Sequence, residues 1–431
     1  MTRGPGEYGW REAPTSAGEA AARMAAATLP AAIVEVARTL HDAGHDVVVV
    51  GGAVRDFLLG RDHGDWDLAS AATPEEVTRL FPKTIPTGIE HGTVTVIHGR
   101  GKERVTTEIT TFRGEGVYAD GRRPTEVRFL RALVEDLARR DFTVNAMAYN
   151  PLTGAFTDAF GGLDDLRDGV IRAVGDPVAR FREDGLRAMR AVRLCATLGY
   201  RLDPATAAAI GGALDILDRV SRERVQVELT KLLGARRPSL GLRPMVDTGV
   251  WGHVLADYER ASIDAAIEAA DALPAEPVVR LARLLWPLRE SPGVIAEVLD
   301  GRLRPSRDER ARVVTLTRAA NAALASEVDP PAIRRQVAAL GRAHLGDALA
   351  VIEAPAEARA RVHAACDGAA LTAGELAIGG RDLIAEAIVK PGPAMGRLIV
   401  ELLEQVLDDP GRNTREGLLA EARRVAAAAA G

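Results

Sequence analysis

Only two cysteines occur in 431 residues, Cys195 and Cys366, and neither has histidines clustered around it. That excludes a disulfide framework and a thiolate zinc site, and it fits a reducing cytoplasm. Long apolar runs are missing as well. The first residues mix scattered charges with alanines and lack the compact apolar stretch of a leader, and no later run is long enough to span a bilayer, so neither export nor membrane insertion is expected. A large charge of one sign is absent too, the formal charge being -5. An acidic total can coexist with a basic surface, so local arginine clusters must carry any argument for nucleic acid. No internal repeat stands out, and no low-complexity tract beyond the alanine-rich ends.

What is present suffices for several modules, two to four by length. Residues 1–28, rich in Gly, Ala, Pro and Ser, read as a mobile N-terminal extension that contributes little core. From Leu29 to about residue 160 the pattern is α/β. The apolar run VVVV (47–50) is a buried-strand signal, residues 53–59 suit a short helix, and residues 65–69 a second strand. Thr73, Pro74 and Glu76 spell an N-cap, a first-turn proline and a capping-box acid. Residues 93–98, 104–112 and 126–130 alternate as strands. Beyond residue 160 Leu, Ala, Val and Arg recur at helical spacing, which predicts helical bundles.

The segment GGAVRDFLLGRDHGDWDLAS (51–70) concentrates the chemistry. Gly51 and Gly52 at a strand end allow a tight turn and close backbone approach to a ligand, although a plain turn is the commoner use of such a pair. Arg55 suits phosphate oxygens, and equally an ion pair with Asp56. Asp65 and Asp67 lie two apart, so on a strand both carboxylates leave one face and can share a hard cation. Glu108, in a later strand, adds a third carboxylate if the two strands are neighbours. Three carboxylates holding two magnesium ions would activate a 3′-hydroxyl and steady a leaving pyrophosphate. A solvated Asp-x-Asp loop and a water-facing glutamate are the alternatives.

Six segments in order, GGAVRDFLLGR (51–61), DWDLAS (65–70), GIEHGTVTV (88–96), EITTFRGEGVYADGRRP (108–124), DLARRDFTVNAMAYNP (136–151) and REDGLRAMRAVR (182–193), resemble the successive motifs of bacterial class II CCA-adding enzymes. These are tRNA nucleotidyltransferases of the polymerase β type. The likeness covers the first half of the chain. It implies an α/β nucleotidyltransferase head with a polymerase β-type mixed sheet (29–160), an all-helical neck of nucleotide-selecting helices (161–220), a helical body (221–330) and a helical tail (331–431), together seahorse-like. It further implies addition of C, C and A to tRNA from CTP and ATP, with Asp65 and Asp67 holding Mg2+ and Glu108 as third acid. Gly52, Arg55, Arg140, Asp184, Arg187, Arg190 and Arg193 are then nucleotide-binding.

Asp184 and Arg187, three apart on a predicted helix, would ordinarily be a surface ion pair. The resemblance makes them readers of the base. Cytosine and adenine both present an amino donor beside a ring-nitrogen acceptor, which a carboxylate and a guanidinium match, whereas uracil and guanine present the reverse. The loop 113–124, rich in Gly and charge, reads by itself as a polar hairpin; it resembles the flexible loop of enzymes that add the terminal A, which argues against a CC-only enzyme, and His91 reads as structural. Arg222, Arg224, Lys231, Arg236 and Arg237 suit either a tRNA backbone or a solvated helix face. No His-Asp pair follows His45-Asp46, so no appended phosphohydrolase activity is expected. A poly(A) polymerase or A-adding enzyme, and a non-catalytic RNA-binding protein on the same scaffold, stay open beside full CCA addition. Oligomeric state is left undetermined.

Overall fold

The computed structural model describes residues 10–26, 29–61, 66–88, 92–98, 105–112, 126–319, 324 and 329–430. Asp65, His91 and the loop 113–124 lie outside them. The chain divides into two compact units, Met1–Leu255 and Ala256–Gly431.

The first unit opens with α1 (Ala17–Ala25) and α2 (Ala31–Asp42), followed by β1 (Val47–Val50), α3 (Gly52–Leu58), β2 (Trp66–Ser70) and α4 (Pro74–Leu80). Next come β3 (Thr84–Gly88), β4 (Thr93–His98), β5 (Val105–Thr111), α5 (Glu126–Ala138), β6 (Met147–Tyr149) and β7 (Phe156–Asp158). The seven strands form one sheet in the order β3-β4-β5-β2-β1-β6-β7. Only the β2–β5 pair is parallel, which makes the sheet mixed. All four valines of β1 are buried, as a central strand covered on both sides requires. The expected capping box closes on α4, with Thr73 accepting from the Glu76 N–H and Glu76 accepting from the Thr73 N–H.

Two expectations for the first 160 residues fail. Residues 126–130 are no strand but the first turns of α5. The five-residue window was too short to show the period, whereas Val127, Leu130, Leu133, Val134 and Leu137 recur every three or four residues over the full segment. The supposed mobile extension 1–28 contains α1, which Ser16 N-caps and which buries Ala20 and Met24 completely. Alanine-rich composition suggested looseness, but a single methionine and small residues at helical spacing suffice to dock a short helix.

Helix α5 covers one face of the sheet. Leu133 and Leu137 join Val48, Val50, Ala69 and Ala148 in one apolar cluster. By strand alternation Val48, Val50, Ala69, Asp67 and Glu108 all belong to that face. After α6 (Gly162–Asp168) a small parallel pair, β8 (Val170–Ile171) with β9 (Arg201–Leu202), departs from the all-helical expectation for this region. It frames α7 (Pro177–Glu183) and α8 (Leu186–Leu198). Then follow α9 (Pro204–Gly211), α10 (Leu214–Leu217), α11 (Arg222–Leu233), α12 (Ser239–Asp247) and α13 (Val250–Val254), of which α11 and α12 pack on α8.

The second unit is helical throughout its described residues, from Arg260–Ala272 to Arg415–Ala430. One of its clusters gathers Leu383, Leu398, Leu402, Val406, Leu418 and Ala422. Arg334 is buried there and caps the carbonyls of Leu407 and Asp408 at the end of helix Pro393–Asp408. No described helix is long and apolar enough to cross a membrane.

Candidate active site

The site begins at the end of β1. Gly51 has φ +78°, a value an L side chain rarely adopts, and a Cβ there would lie 3.1 Å from Arg140 Nη1 and 3.7 Å from Asp67 Oδ2. A bare turn therefore lets a guanidinium and a carboxylate converge on backbone. Asp67 comes from β2, which pairs Val50 with Asp67 on one side and Asp67 with Glu108 on the other. The parallel β2–β5 pairing is thus the neighbour relation that Glu108 needed. Arg140 arrives because α5, covering the same face, ends just before it. Asp136 receives a hydrogen bond from Arg140 Nη2 at 3.3 Å, while Arg140 Nε is buried without a partner.

Arg55 is almost fully buried. Its Nε and Nη2 donate to the two oxygens of Asp56, each at 2.9 Å, so the ion pair foreseen with Asp56 forms. Its Nη1 donates to Asn145 Oδ1. Three of five guanidinium donors are taken, and Nη2 lies 3.2 Å from where a Cβ on Gly52 would be. Asn145 in turn donates through Nδ2 to Asp141 at 3.0 Å.

Asp141, between α5 and β6, reaches the helix α8 through Arg190. Arg190 grips its Oδ2 at 2.7 Å from Nε and 2.5 Å from Nη2. Burial alone would raise the Asp141 carboxyl, but the Arg190 charge and hydrogen bonds from Asn145, Arg190 and the Phe142 N–H hold it at about 2. Arg190 is correspondingly raised, by Asp141 first. Arg193 donates to the buried Glu228 of α11 at 2.5 Å. Burial lowers Arg193, Glu228 opposes this, and the charges of Arg190 and Arg55 add to the lowering.

Asp184 and Arg187 do not form the helical ion pair that their spacing suggested. Asp184 is extended, in the break between α7 and α8. Its Oδ1 accepts from the Leu186 N–H at 3.0 Å and its Oδ2 from Arg224 at 3.1 Å. The next residue, Gly185, is back in the helical region and packs so closely that a Cβ there would meet Ile216 and Leu217 backbone at 2.5 Å. Arg187 instead donates from Nη1 to Arg180 O at 2.9 Å and Glu183 at 2.8 Å, and from Nη2 to Arg139 O at 2.8 Å. It thereby holds the backbone one residue before Arg140.

The structure thus brings Gly52, Arg55, Asp67, Glu108 and Arg140 to one end of the sheet, with Asp184, Arg187, Arg190 and Arg193 on and before the helix beside it. Three supporting groups escaped the sequence reading: Asp141, Asn145 and Glu228. Glu228 had a signal, because it shares the apolar stripe of α11 with Val225, Leu229 and Leu232. A carboxylate on a buried face needs a cation.

Carboxylate oxygens from adjacent strands are the donor set that a hard divalent cation takes. Among the described residues no group of three metal-ligating side chains is assembled, Asp65 being outside them.

Residues 47–172 match the family described as Poly A polymerase head domain, and residues 199–261 that of the probable RNA and SrmB-binding site of polymerase A. Residues 303–422 match a putative tRNA nucleotidyltransferase domain 2. A CCA-adding enzyme of Pediococcus pentosaceus is 36% identical over 387 residues, 89% of this chain and 95% of that protein. One of Levilactobacillus brevis is 48% identical over 217 residues, about half of either chain at 50% and 53%. The crystal structure of Bacillus stearothermophilus CCA-adding enzyme in complex with CTP superposes with a TM-score of 0.70 at 32% identity, covering 91% of this chain and 97% of that one. With its mixed sheet, its paired carboxylates and its arginine-lined helix, the chain belongs to the family of CCA-adding enzymes.

Proposed function

We infer that this protein is a tRNA nucleotidyltransferase that adds C, C and A to the 3′ end of tRNA from CTP and ATP, without a nucleic-acid template, releasing pyrophosphate. The observation that carries the reading is the register of Asp67 with Glu108 beside the Gly51 turn. Asp65 and Asp67 would hold a divalent cation, magnesium on this reading, with Glu108 as the third acid. Such a cation, when bound, supplies charge stabilisation for the attacking hydroxyl and the leaving pyrophosphate.

The chain's own groups supply position. Gly52 and Arg55 receive the triphosphate, Arg55 through the two N–H donors that Asp56 and Asn145 leave. Arg140, beside the Gly51 turn, contacts the nucleotide as well. Arg190 and Arg193, fixed by Asp141 and Glu228, extend the basic surface. Asp184 accepts from the base amino group and Arg187 donates to the ring nitrogen. A carboxylate has about four acceptor sites, and Leu186 and Arg224 use two, so Asp184 retains capacity for a base.

On the same reading residues 29–160 are the head, 161–220 the neck, 221–330 the body and 331–431 the tail, the last two tracking tRNA. Both cysteines are unpaired and buried, which accords with a cytoplasmic site of action. The family likeness to the poly(A) polymerase head favours one alternative, repeated A addition by the same chemistry. The deciding experiment incubates the pure protein with tRNA lacking its end and with each nucleotide singly and together. Two C additions from CTP and then one A from ATP support the assignment. Runs of A, or extension by A alone, would replace it with the alternative.

A further inference from the structure

The N-terminal segment reaches the phosphate-turn helix from its far end. The last carbonyls of α3 have no partner within the helix. The Arg11 N–H donates to Leu59 O at 2.9 Å, and Arg23, itself on α1, donates from Nη1 to Leu58 O at 2.8 Å and Glu12 O at 2.6 Å. A cation at a helix C-terminus also suits the helix dipole. The Arg11 side chain crosses Gly60 so closely that a Cβ there would lie 2.9 Å from Arg11 Cγ, Cδ and Nε.

A second line of contacts continues from that end into the site. The Trp10 ring lies 4.5 Å from Arg61 Cζ. Arg61 Nη1 donates to Asp56 Oδ1 at 2.8 Å, and the Arg61 N–H donates to Asp56 O at 2.8 Å. Asp56 then holds Arg55 through both carboxylate oxygens. Phe57 of α3 packs on Trp66, ring centroids 6.2 Å apart, at the start of the strand that carries Asp67.

We propose that residues 10–26 form a brace for the nucleotide site, in which Trp10, Arg61 and Asp56 are positioning residues that fix the plane of the Arg55 guanidinium and so set affinity for the triphosphate. Two guanidinium groups share one carboxylate in this chain, so Asp56 can orient Arg55 only while Arg61 keeps its own place. Trp10 supplies that place by covering the Arg61 face. The proposal rests on the reading of Arg55 as a triphosphate contact. Because the triphosphate is common to all nucleotides, a loosened brace weakens CTP and ATP alike and leaves the choice of base untouched.

The test uses the full-length chain with Trp10→Ala, Trp10→Phe, Arg61→Ala, Arg61→Lys and Arg55→Ala. KM and kcat for CTP and ATP, the Ki of inorganic tripolyphosphate as competitor, the CTP-over-UTP preference and the melting temperature are measured on each. Trp10→Ala should raise both KM values and the Ki about threefold, the scale of a lost cation–π contact, with kcat within about twofold of wild type. Arg61→Ala should raise them roughly tenfold, with Arg61→Lys between, because an ammonium keeps the charge but not the planar fork. Trp10→Phe should stay near wild type, which keeps the test open if the alanine variant folds poorly. Base preference should not move. If Arg55→Ala raises KM and Ki while the Trp10 and Arg61 variants lose only melting temperature, the brace is wrong and the Arg55 reading stands. If Arg55→Ala itself leaves KM and Ki unchanged, the reading beneath the proposal falls.

Discussion

Asp67 and Glu108 are direct partners across the parallel pair β2–β5, so two carboxylates leave the same face of the sheet at one level along the strands. Like charges placed directly opposite each other are destabilising. The pairing stands at the mouth of a glycine turn where Arg140 also converges, and the cation proposed above would offset its cost.

Replacing Asp67 with Asn therefore relieves repulsion while removing a donor. Nucleotide addition should fall roughly a thousandfold or more, with the melting temperature unchanged or raised. Glu108→Gln should act in the same direction. Turnover near wild type in both variants with magnesium present would end the proposed role of the pair.

Arg187 has a structural duty and a proposed reading duty, and they separate experimentally. Loss of its bonds to Arg180 O and Arg139 O in Arg187→Ala should lower stability by about 1–3 kcal/mol. The reading role adds a loss of selectivity, with the CTP-over-UTP preference shrinking about tenfold. Competition between the two nucleotides on one tRNA, beside a melting curve, distinguishes them. A lower melting temperature with unchanged preference leaves only the structural duty.

Asp141 predicts a pH dependence. Its carboxyl is held at about 2 against an ordinary 3.8, so its contribution is complete above the ordinary value and is lost as pH falls through the folded one. The shift corresponds to about 2 kcal/mol. Asp141→Asn should be destabilised at pH 7, and the gap to wild type in unfolding free energy should narrow as pH is lowered from about 5 toward 2. A gap constant over that window would show that the Arg190 pairing does not set stability.

Gly51→Ala imposes a side chain at φ +78° and 3.1 Å from Arg140 Nη1. Backbone strain should cost roughly 1–2 kcal/mol of stability, and displacement of Arg140 should raise the KM for both nucleotides. In an Arg140→Ala background the KM effect should largely vanish, since the two changes act through one group. Fully additive effects would place the strain elsewhere.

Much of the site was legible before the fold. Two glycines after a valine run, Asp67 two residues from Asp65, and the capping box of α4 are local patterns, set by backbone sterics and strand alternation within a few residues. The α/β beginning and helical remainder followed from the period of apolar positions. Tertiary structure decided what depends on distant partners. The β2–β5 register made Asp67 and Glu108 neighbours, since which strands pair is a property of the whole sheet. The helix α5, misread as a strand over five residues, carries Arg140 to the turn. The extended backbone at Asp184 separates α7 from α8 and took Asp184 off the helix it was assumed to share with Arg187. A counter-ion such as Asp141 came to light only in three dimensions, because burial of a charge, unlike its presence, is decided by everything packed around it.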